Sequence, residues 1–554
     1  PRYAGVTTVA KRKLEQDDCV VERGPVEVDL LEEVAVPGAT PLVLQKMGGA
    51  VSRYAGLSVD HRRPCTSQEG RLCHIFGSLK AWNSFLWMIG MELQEKSVSE
   101  LSLVKASDGT RLTGSATVNE KVLLRMYLYH LIAEHHCVVE ATISDDILAD
   151  HQDTICHAIR DSRGLKRITL AFGSLRLLFS WAHLAEAIGS MTHLESLSLH
   201  GIIHGDLLAN LAPMLAASAS LTVFHASDMH VRDPPVNVFM EGLSKNRSIT
   251  ELSLTTKALG RGIWRSGSRN RGLGLDTYLR ANTSLTSLNI TAPRGGTEID
   301  VRTVCTALSE NTVLTRLELE LHRLKSEYAT PIKCLLSSSK TLKYFSLSYQ
   351  YIDRSGTASN ERQYPVDVVS PMQYCPQCRT DHSEVTNRVR PWIIALLTDE
   401  FVAELLKPEF EHNYTLHSLK FSYMCGEMMK ERLAIQDIVH RNRALTKRAA
   451  SYVTGTSAKY TADAFEKVSE SSALIEELQS VASIEEARAN ELVAESTLRL
   501  ADFTEFMRLA GVVFDSVECN PSEDGKVQLA DLPELCLRRI RKFLRLSDVL
   551  DGQH

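Results

Sequence analysis

Two hexapeptides set 29 residues apart, Leu285-Thr286-Ser287-Leu288-Asn289-Ile290 and Leu314-Thr315-Arg316-Leu317-Glu318-Leu319, carry apolar side chains at their first, fourth and sixth places. Alternation over the last three places is the period-2 mark of a short strand with one buried face. The frame recurs, with close apolar variants, from Leu165, Leu194, Leu221, Ile249, Leu342 and Leu416, and the steps along the eight copies are 29, 27, 28, 36, 29, 28 and 74 residues. A regular period of this length predicts a solenoid.

The linkers supply the other half of each unit. Val301, Val304, Cys305 and Leu308 fall on one face of a helix, with Asp300 placed to cap its first turn. After Leu199 the same plan uses Leu207, Leu208, Leu211 and Leu215, and short polar turns such as Glu310-Asn311-Thr312-Val313 lead into the next strand. A lone strand-helix unit cannot bury both apolar faces, so the units must stack. Further strands are expected at Val98–Leu103 and His136–Ile143, with helix from Leu123 to Leu131 between them. The array then has roughly ten units.

These frames resemble leucine-rich-repeat proteins with the long repeat of the ribonuclease-inhibitor type, also found in the sensor arm of NLR-type innate immune receptors. The resemblance covers about half of the chain. It implies an α/β leucine-rich-repeat solenoid, or horseshoe, with strands lining the concave face. The Asn that often follows the strand in this family is missing from most copies here, which predicts irregular convex turns. Residues flanking the buried leucines should point into the concavity. The partner-binding candidates are Ser196, Ser198, His200, Glu251, Arg316, Glu318, Glu320, Tyr344 and Lys420, and Arg316, Glu318, Glu320 and Tyr344 are the favoured patch because Tyr and Arg carry much interface energy. Simple solvation of these polar residues is the alternative.

Composition bounds the function. A net charge of -6 on 554 residues is close to balance, so nucleic acid is not an expected partner. No apolar run approaches the ~20 residues of a membrane span. The start, Pro1-Arg2-Tyr3, is unlike a signal peptide and lacks an initiator Met, as a fragment would. Twelve scattered cysteines, some at apolar places such as Cys156 and Cys305, point to a reducing compartment, cytoplasmic or nuclear.

Four segments follow from these patterns: an irregular N-terminal region with short helices (1–95), the repeats (96–425), a helical cap (426–518) and a C-terminal helix (519–554). In the first, Trp82, Phe85, Leu86, Ile89 and Leu93 make an apolar helical face from Leu79 to Leu93. One insertion, near 257–272, concentrates Arg261, Trp264, Arg265, Arg269 and Arg271, which suits a phosphate or an acidic strip unless the loop is merely solvated. A second, near 349–388, carries Cys375-Pro-Gln-Cys378 followed by His382. Zinc needs four ligands and no second pair lies nearby, so these are weak metal candidates and no cofactor is expected.

Beyond Phe421 the pattern is helical over 427–452, 459–481 and 484–513, with Leu474, Leu478 and Val481 as an apolar stripe closing the end of the stack. The run from Asn520 to Asp531 partly fits a calcium-binding loop, against the simpler reading of a Glu-Asp-Gly turn. Next, Leu532-Pro533 opens an amphipathic helix. Its spacing Leu532-x3-Cys536-x3-Ile540 resembles the BC box that inserts into elongin C, and the stretch also resembles the start of an F-box. Both resemblances imply a helix laid in an adaptor's groove. The two functional expectations are therefore a substrate receptor of a cullin-RING ubiquitin ligase, docking elongin C or an F-box adaptor through Leu532, Cys536 and Ile540, and a stand-alone sensor or scaffold in which those residues seal the cap. No nucleotide-binding loop, His-Glu-x2-His or Gly-x-Ser-x-Gly motif occurs, so catalysis is not expected.

Overall fold

In the computed structural model the described residues are 63–67, 72–106, 118–172, 181–232, 236–256, 274–292, 299–352, 401–406, 410, 412–421, 429–513 and 527–549. Short helices α1 (His74–Gly77) and α2 (Leu79–Leu86) precede strands β1 (Met91–Ser97) and β2 (Glu100–Lys105). Helix and strand then alternate through α3 (Val118–Glu134), β3 (Val138–Ser144), α4 (Asp145–Asp161), β4 (Arg167–Phe172), α5 (Trp181–Gly189), β5 (Ser196–His204), α6 (Gly205–Ala217) and β6 (Val223–Arg232). They continue through α7 (Val236–Lys245), β7 (Glu251–Thr255), α8 (Leu275–Ala281), β8 (Ser287–Thr291), α9 (Val301–Ser309), β9 (Arg316–Leu324), α10 (Ala329–Ser338), β10 (Tyr344–Ile352) and β11 (Ser418–Phe421).

The eleven strands among the described residues lie in one sheet in chain order; β1 and β2 pair antiparallel, and every later pair is parallel. Parallel neighbours need a crossover, and the intervening helices provide it. The result is the solenoid-like α/β arrangement expected from the repeat. The first, fourth and sixth residues of the best-kept frames, Leu285, Leu288, Ile290, Leu314, Leu317 and Leu319, are at most 4% exposed. Burial of each such side chain stabilises by about 1.5–3 kcal/mol. The expected helix faces, Leu207 to Leu215 and Val301 to Leu308, meet them in the core. Asp300 caps α9 as expected, its Oδ1 accepting from Thr303 N at 3.1 Å.

The turns into the strands are held by a polar ladder. Asn311 Oδ1 accepts from Val313 N and Leu314 N at 2.9 and 2.8 Å, while its Nδ2 donates back to Leu279 O and Asn282 O at 2.8 and 3.1 Å. Asn246, three residues before Ile249, is bonded in the same way, and Asn413, three before Leu416, accepts from Thr415 N and Leu416 N and donates to Leu336 O, leaving Ser339 O to the Thr415 hydroxyl. In three other units Ser162, Ser218 and Ser339 replace Asn and only accept, from Leu165 N, Leu221 N and Leu342 N. Each Asn is buried and ties its own turn to the previous one, so the inter-unit seam carries directional bonds as well as apolar contact.

Three local expectations need correction. The helix expected to reach Leu93 ends at Leu86 with a 3-10 turn, because Gly90 takes a left-handed φ of 72° and starts β1, which carries Leu93 into the sheet core. Val98 is not in a strand: it is 85% exposed in the turn between β1 and β2. In the C-terminal region Leu474 and Leu478 are buried, but Val481 is 63% exposed at the last turn of its helix.

That region consists of α11 (Met429–Val453), α12 (Lys459–Val468), α13 (Ser472–Ala482), α14 (Glu486–Ala501) and α15 (Phe503–Leu509), followed by α16 (Glu534–Arg541). Its own core gathers Tyr452, Phe465, Leu474, Leu478, Phe506 and Leu546. The join to the repeats reuses the ladder: Asn442 of α11 donates to Leu416 O at 2.9 Å.

Candidate functional site

Within each strand the side chains between the core residues face away from the helices, and the register aligns them across the sheet. One row runs Glu140, Arg167, Ser196, Val223, Glu251, Ser287, Arg316, Tyr344 and Ser418. The next runs Thr142, Thr169, Ser198, His225, Ser253, Asn289, Glu318, Ser346 and Lys420. Glu320 stands in a third row, between Thr291 and Ser348. His200 pairs with Asp228 beyond a register shift. Among the described residues no helix covers these rows, and all but Ser253 are half-buried or exposed.

Charge concentrates at the two ends of this face. Towards β2, Arg167 contacts Glu140 at 3.2 Å and Glu100 at 3.8 Å, and Lys96 also pairs with Glu140. Towards β10, Arg316 Nε donates to Glu318 Oε1 at 2.9 Å, with Tyr344, 42% exposed, beside Arg316 in the first row and Glu320 in the third. The middle holds small hydroxyls and the pair His225 Nε2 and Glu251 Oε1 at 3.1 Å. The favoured residues Arg316, Glu318, Glu320 and Tyr344 thus share one patch on adjacent strands. Glu251 lies two strands from Arg316 and Ser196, Ser198 and His200 lie four, and Lys420 stands exposed on β11.

At the other candidate site, Pro533 stands immediately before α16 rather than inside its first turn, and its carbonyl accepts from Cys536 N at 2.8 Å. Leu532 and Ile540 are half-buried, Cys536 is exposed, and Leu535 and Phe543 are each 79% exposed. What anchors this helix is Arg541. Its Nη2 pairs with Glu466 Oε1 at 2.9 Å, Nε and Nη1 donate to Leu500 O and Leu544 O at 3.0 and 2.7 Å, and its guanidinium lies 4.0 Å over the Phe506 ring. Glu466 Oε2 accepts from Leu546 N at 3.0 Å, and Leu546 is buried. Arg541 and Leu546 therefore seal this end, and the cap does not bury Cys536.

The basic loop of Arg261, Trp264, Arg265, Arg269 and Arg271 lies outside the described residues, as do Cys375, Cys378 and His382. So does most of the loop from Asn520, though Asp531 accepts from Gln528 N at 3.0 Å, a local turn contact.

A further cluster was illegible in the sequence. Cys65, Cys73, His135 and Cys137 place one possible ligand atom each within 4.8 Å of one another. Cys73 stands at the N-cap of α1; His135 and Cys137 flank the step from α3 into β3. Cys73 Sγ lies 3.5 Å from His135 Nδ1, whose ring packs against Trp82 and His74. Hydrogen bonding to Cys137 holds the Cys65 and Cys73 thiols below the usual range, and the same bonds push Cys137 up. Burial works against charge on His135, but hydrogen bonds to Cys65 and Cys73 outweigh it and raise the imidazole to about 9. The sequence separations are 8, 62 and 2 residues, which fit no compact motif, so only folding the first unit reveals the set.

No helix among the described residues is long and apolar enough to cross a membrane. No protein-family model matches the sequence, and no curated protein matches it.

Proposed function

We propose that this chain is a leucine-rich-repeat interaction scaffold that holds a protein partner on the open sheet face, read as the concave face of a horseshoe, and presents its C-terminal helix to a ubiquitin-ligase adaptor. The observation that carries the reading is the set of uncovered rows in register across β3 to β11, ending in a patch of Tyr, Arg and Glu on β9 and β10. A sheet face left open by the described helices offers a long surface whose side chains vary by strand without disturbing the core. Tyr344 and Arg316 belong to the residue types that anchor interfaces. The reading is non-enzymatic and cytoplasmic or nuclear.

Adaptor docking is supported by exposure. A helix that only seals a cap buries its apolar row, because an uncovered row without a partner is an aggregation liability. Here Cys536 is exposed and Leu532 and Ile540 are half-buried, with Leu535 and Phe543 also in solvent, while Arg541 supplies the attachment from the opposite side. This favours the cullin-RING receptor over the stand-alone scaffold related to immune sensors. The test is co-purification of the full chain with elongin C and with the F-box adaptor, each assayed separately. Recovery of one adaptor should fall at least tenfold when Leu532 and Cys536 are both changed to Asp. Equal recovery, or recovery of neither adaptor, leaves the scaffold without a ligase role.

A further inference from the structure

We propose that Cys65, Cys73, His135 and Cys137 form a structural zinc site that fastens the N-terminal segment to the first unit of the sheet. Tetrahedral zinc takes bonds of about 2.3 Å to thiolate sulfur and about 2.0–2.1 Å to imidazole nitrogen. The edges of such a tetrahedron are about 3.6 Å between sulfur and nitrogen and about 3.8 Å between sulfurs, by trigonometry on those bonds. The Cys73 Sγ to His135 Nδ1 separation is 3.5 Å, and all four donor atoms fall within 4.8 Å of one another. One edge of the donor set already matches the tetrahedron, and the others exceed it by at most about 1 Å, a contraction within reach of side-chain rotation.

Its chemistry points to zinc. Three thiolates and one imidazole form a complete four-ligand set of soft and borderline donors, which suits a closed structural site and disfavours calcium or magnesium, whose ligands are oxygens. A disulfide cannot account for the group: the three thiols are free, and pairing two would leave the third sulfur and the imidazole. Cys73, His135 and Cys137 are at most 2% exposed, while Cys65 is half-buried. Buried donors with one ligand near the surface leave the metal an entry path yet little room for water or substrate, as a structural site requires.

The position gives the site a purpose. Residues 63–67 belong to no helix or strand, and Cys65 is their tie to this cluster. Cys73 opens α1, whereas His135 and Cys137 sit at the entrance to β3; Cys137 O accepts from Leu101 N of β2 at 2.6 Å. A metal here joins three chain segments at the end of the stack opposite the C-terminal helices. Terminal units of a solenoid need a cover.

The experiment is metal analysis of the full chain, purified without chelator, together with titration of the metal-free chain with cobalt. About one zinc per chain is expected, and cobalt should give the intense visible bands and the sulfur-to-cobalt charge-transfer absorption of a tetrahedral thiolate site. Cys73→Ser and His135→Ala should each lower bound zinc at least fivefold, while the paired change Cys375→Ser and Cys378→Ser should leave it intact. The cobalt spectrum of the unmodified chain decides the matter even if a variant misfolds. Absence of both zinc and that spectrum, metal that leaves with Cys375 and Cys378 instead, or a disulfide among Cys65, Cys73 and Cys137 in the purified chain would overturn the site.

Discussion

Replacing Arg541 by Ala should destabilise the docking of the C-terminal helix by about 3–5 kcal/mol, the range found when one partner of a buried ion pair is removed. The size follows from what the side chain leaves behind. Glu466 keeps Leu546 N but loses the guanidinium, the carbonyls of Leu500 and Leu544 lose their donors, and Phe506 loses the cation over its ring. The pair is little exposed, 10% at Arg541 and 21% at Glu466, so water replaces few of these contacts. Hydrogen exchange should accelerate over 534–549, while the strands from β3 to β10 keep their protection. Lys at 541 should recover little, because a point charge cannot reach two carbonyls and a carboxylate at once. Unchanged exchange over 534–549 in Arg541→Ala would show that Leu546 and its neighbours hold the helix unaided.

The second large effect is expected at Asn311. Alanine there strands two amides, of Val313 and Leu314, and two carbonyls, of Leu279 and Asn282, in a buried turn. Each buried polar group left unpaired costs about 1–3 kcal/mol where water does not reach it. With partial relaxation the loss should be roughly 3 kcal/mol or more. The chain carries its own control, since Ser339 keeps the amide-accepting half of this role with bonds of 3.4 and 3.2 Å from Thr341 and Leu342. Asn311→Ser should therefore fall between the native residue and Ala in urea midpoint. A midpoint for Asn311→Ala within the error of the native chain would mean that apolar stacking alone sets the seam.

The same residues show what the sequence makes legible and what it hides. Leu314-x2-Leu317-x-Leu319 announces its strand because two kinds of local information agree: period-2 burial within the strand and a fixed step to the next copy. The helix from Val301 and its Asp300 cap are legible for the same reason. The ladder was half visible. Asn311 stands in its turn sequence, but nothing local says that its amide group reaches back some 30 residues to the previous turn. Gly90 shows the opposite failure. The apolar spacing continues past it to Leu93, and the helix reading follows that spacing, yet one left-handed residue redirects the chain into a strand where Leu93 is equally buried.

At the candidate sites, the grouping of Arg316, Glu318, Glu320 and Tyr344 was readable because register is simple arithmetic once the strands are placed. The exposure of Cys536 was not, because it depends on Arg541 finding Glu466 from 75 residues away. The cysteine-histidine cluster is the extreme case: its four members come from three segments with no common period and share no short motif such as Cys375-x2-Cys378.

The central claim, that the open sheet face holds a protein partner, is tested most directly by site-specific photo-crosslinking in cells. A photoreactive aromatic residue placed at Tyr344 on the open face, and in a separate variant at Arg302, exposed on helix α9, probes the two sides of the same region with the fold otherwise intact. The account predicts a discrete adduct of fixed mass from position 344 that is absent from position 302; adducts from 302 alone, or none from 344 and from further probes along β5 to β9, would contradict it.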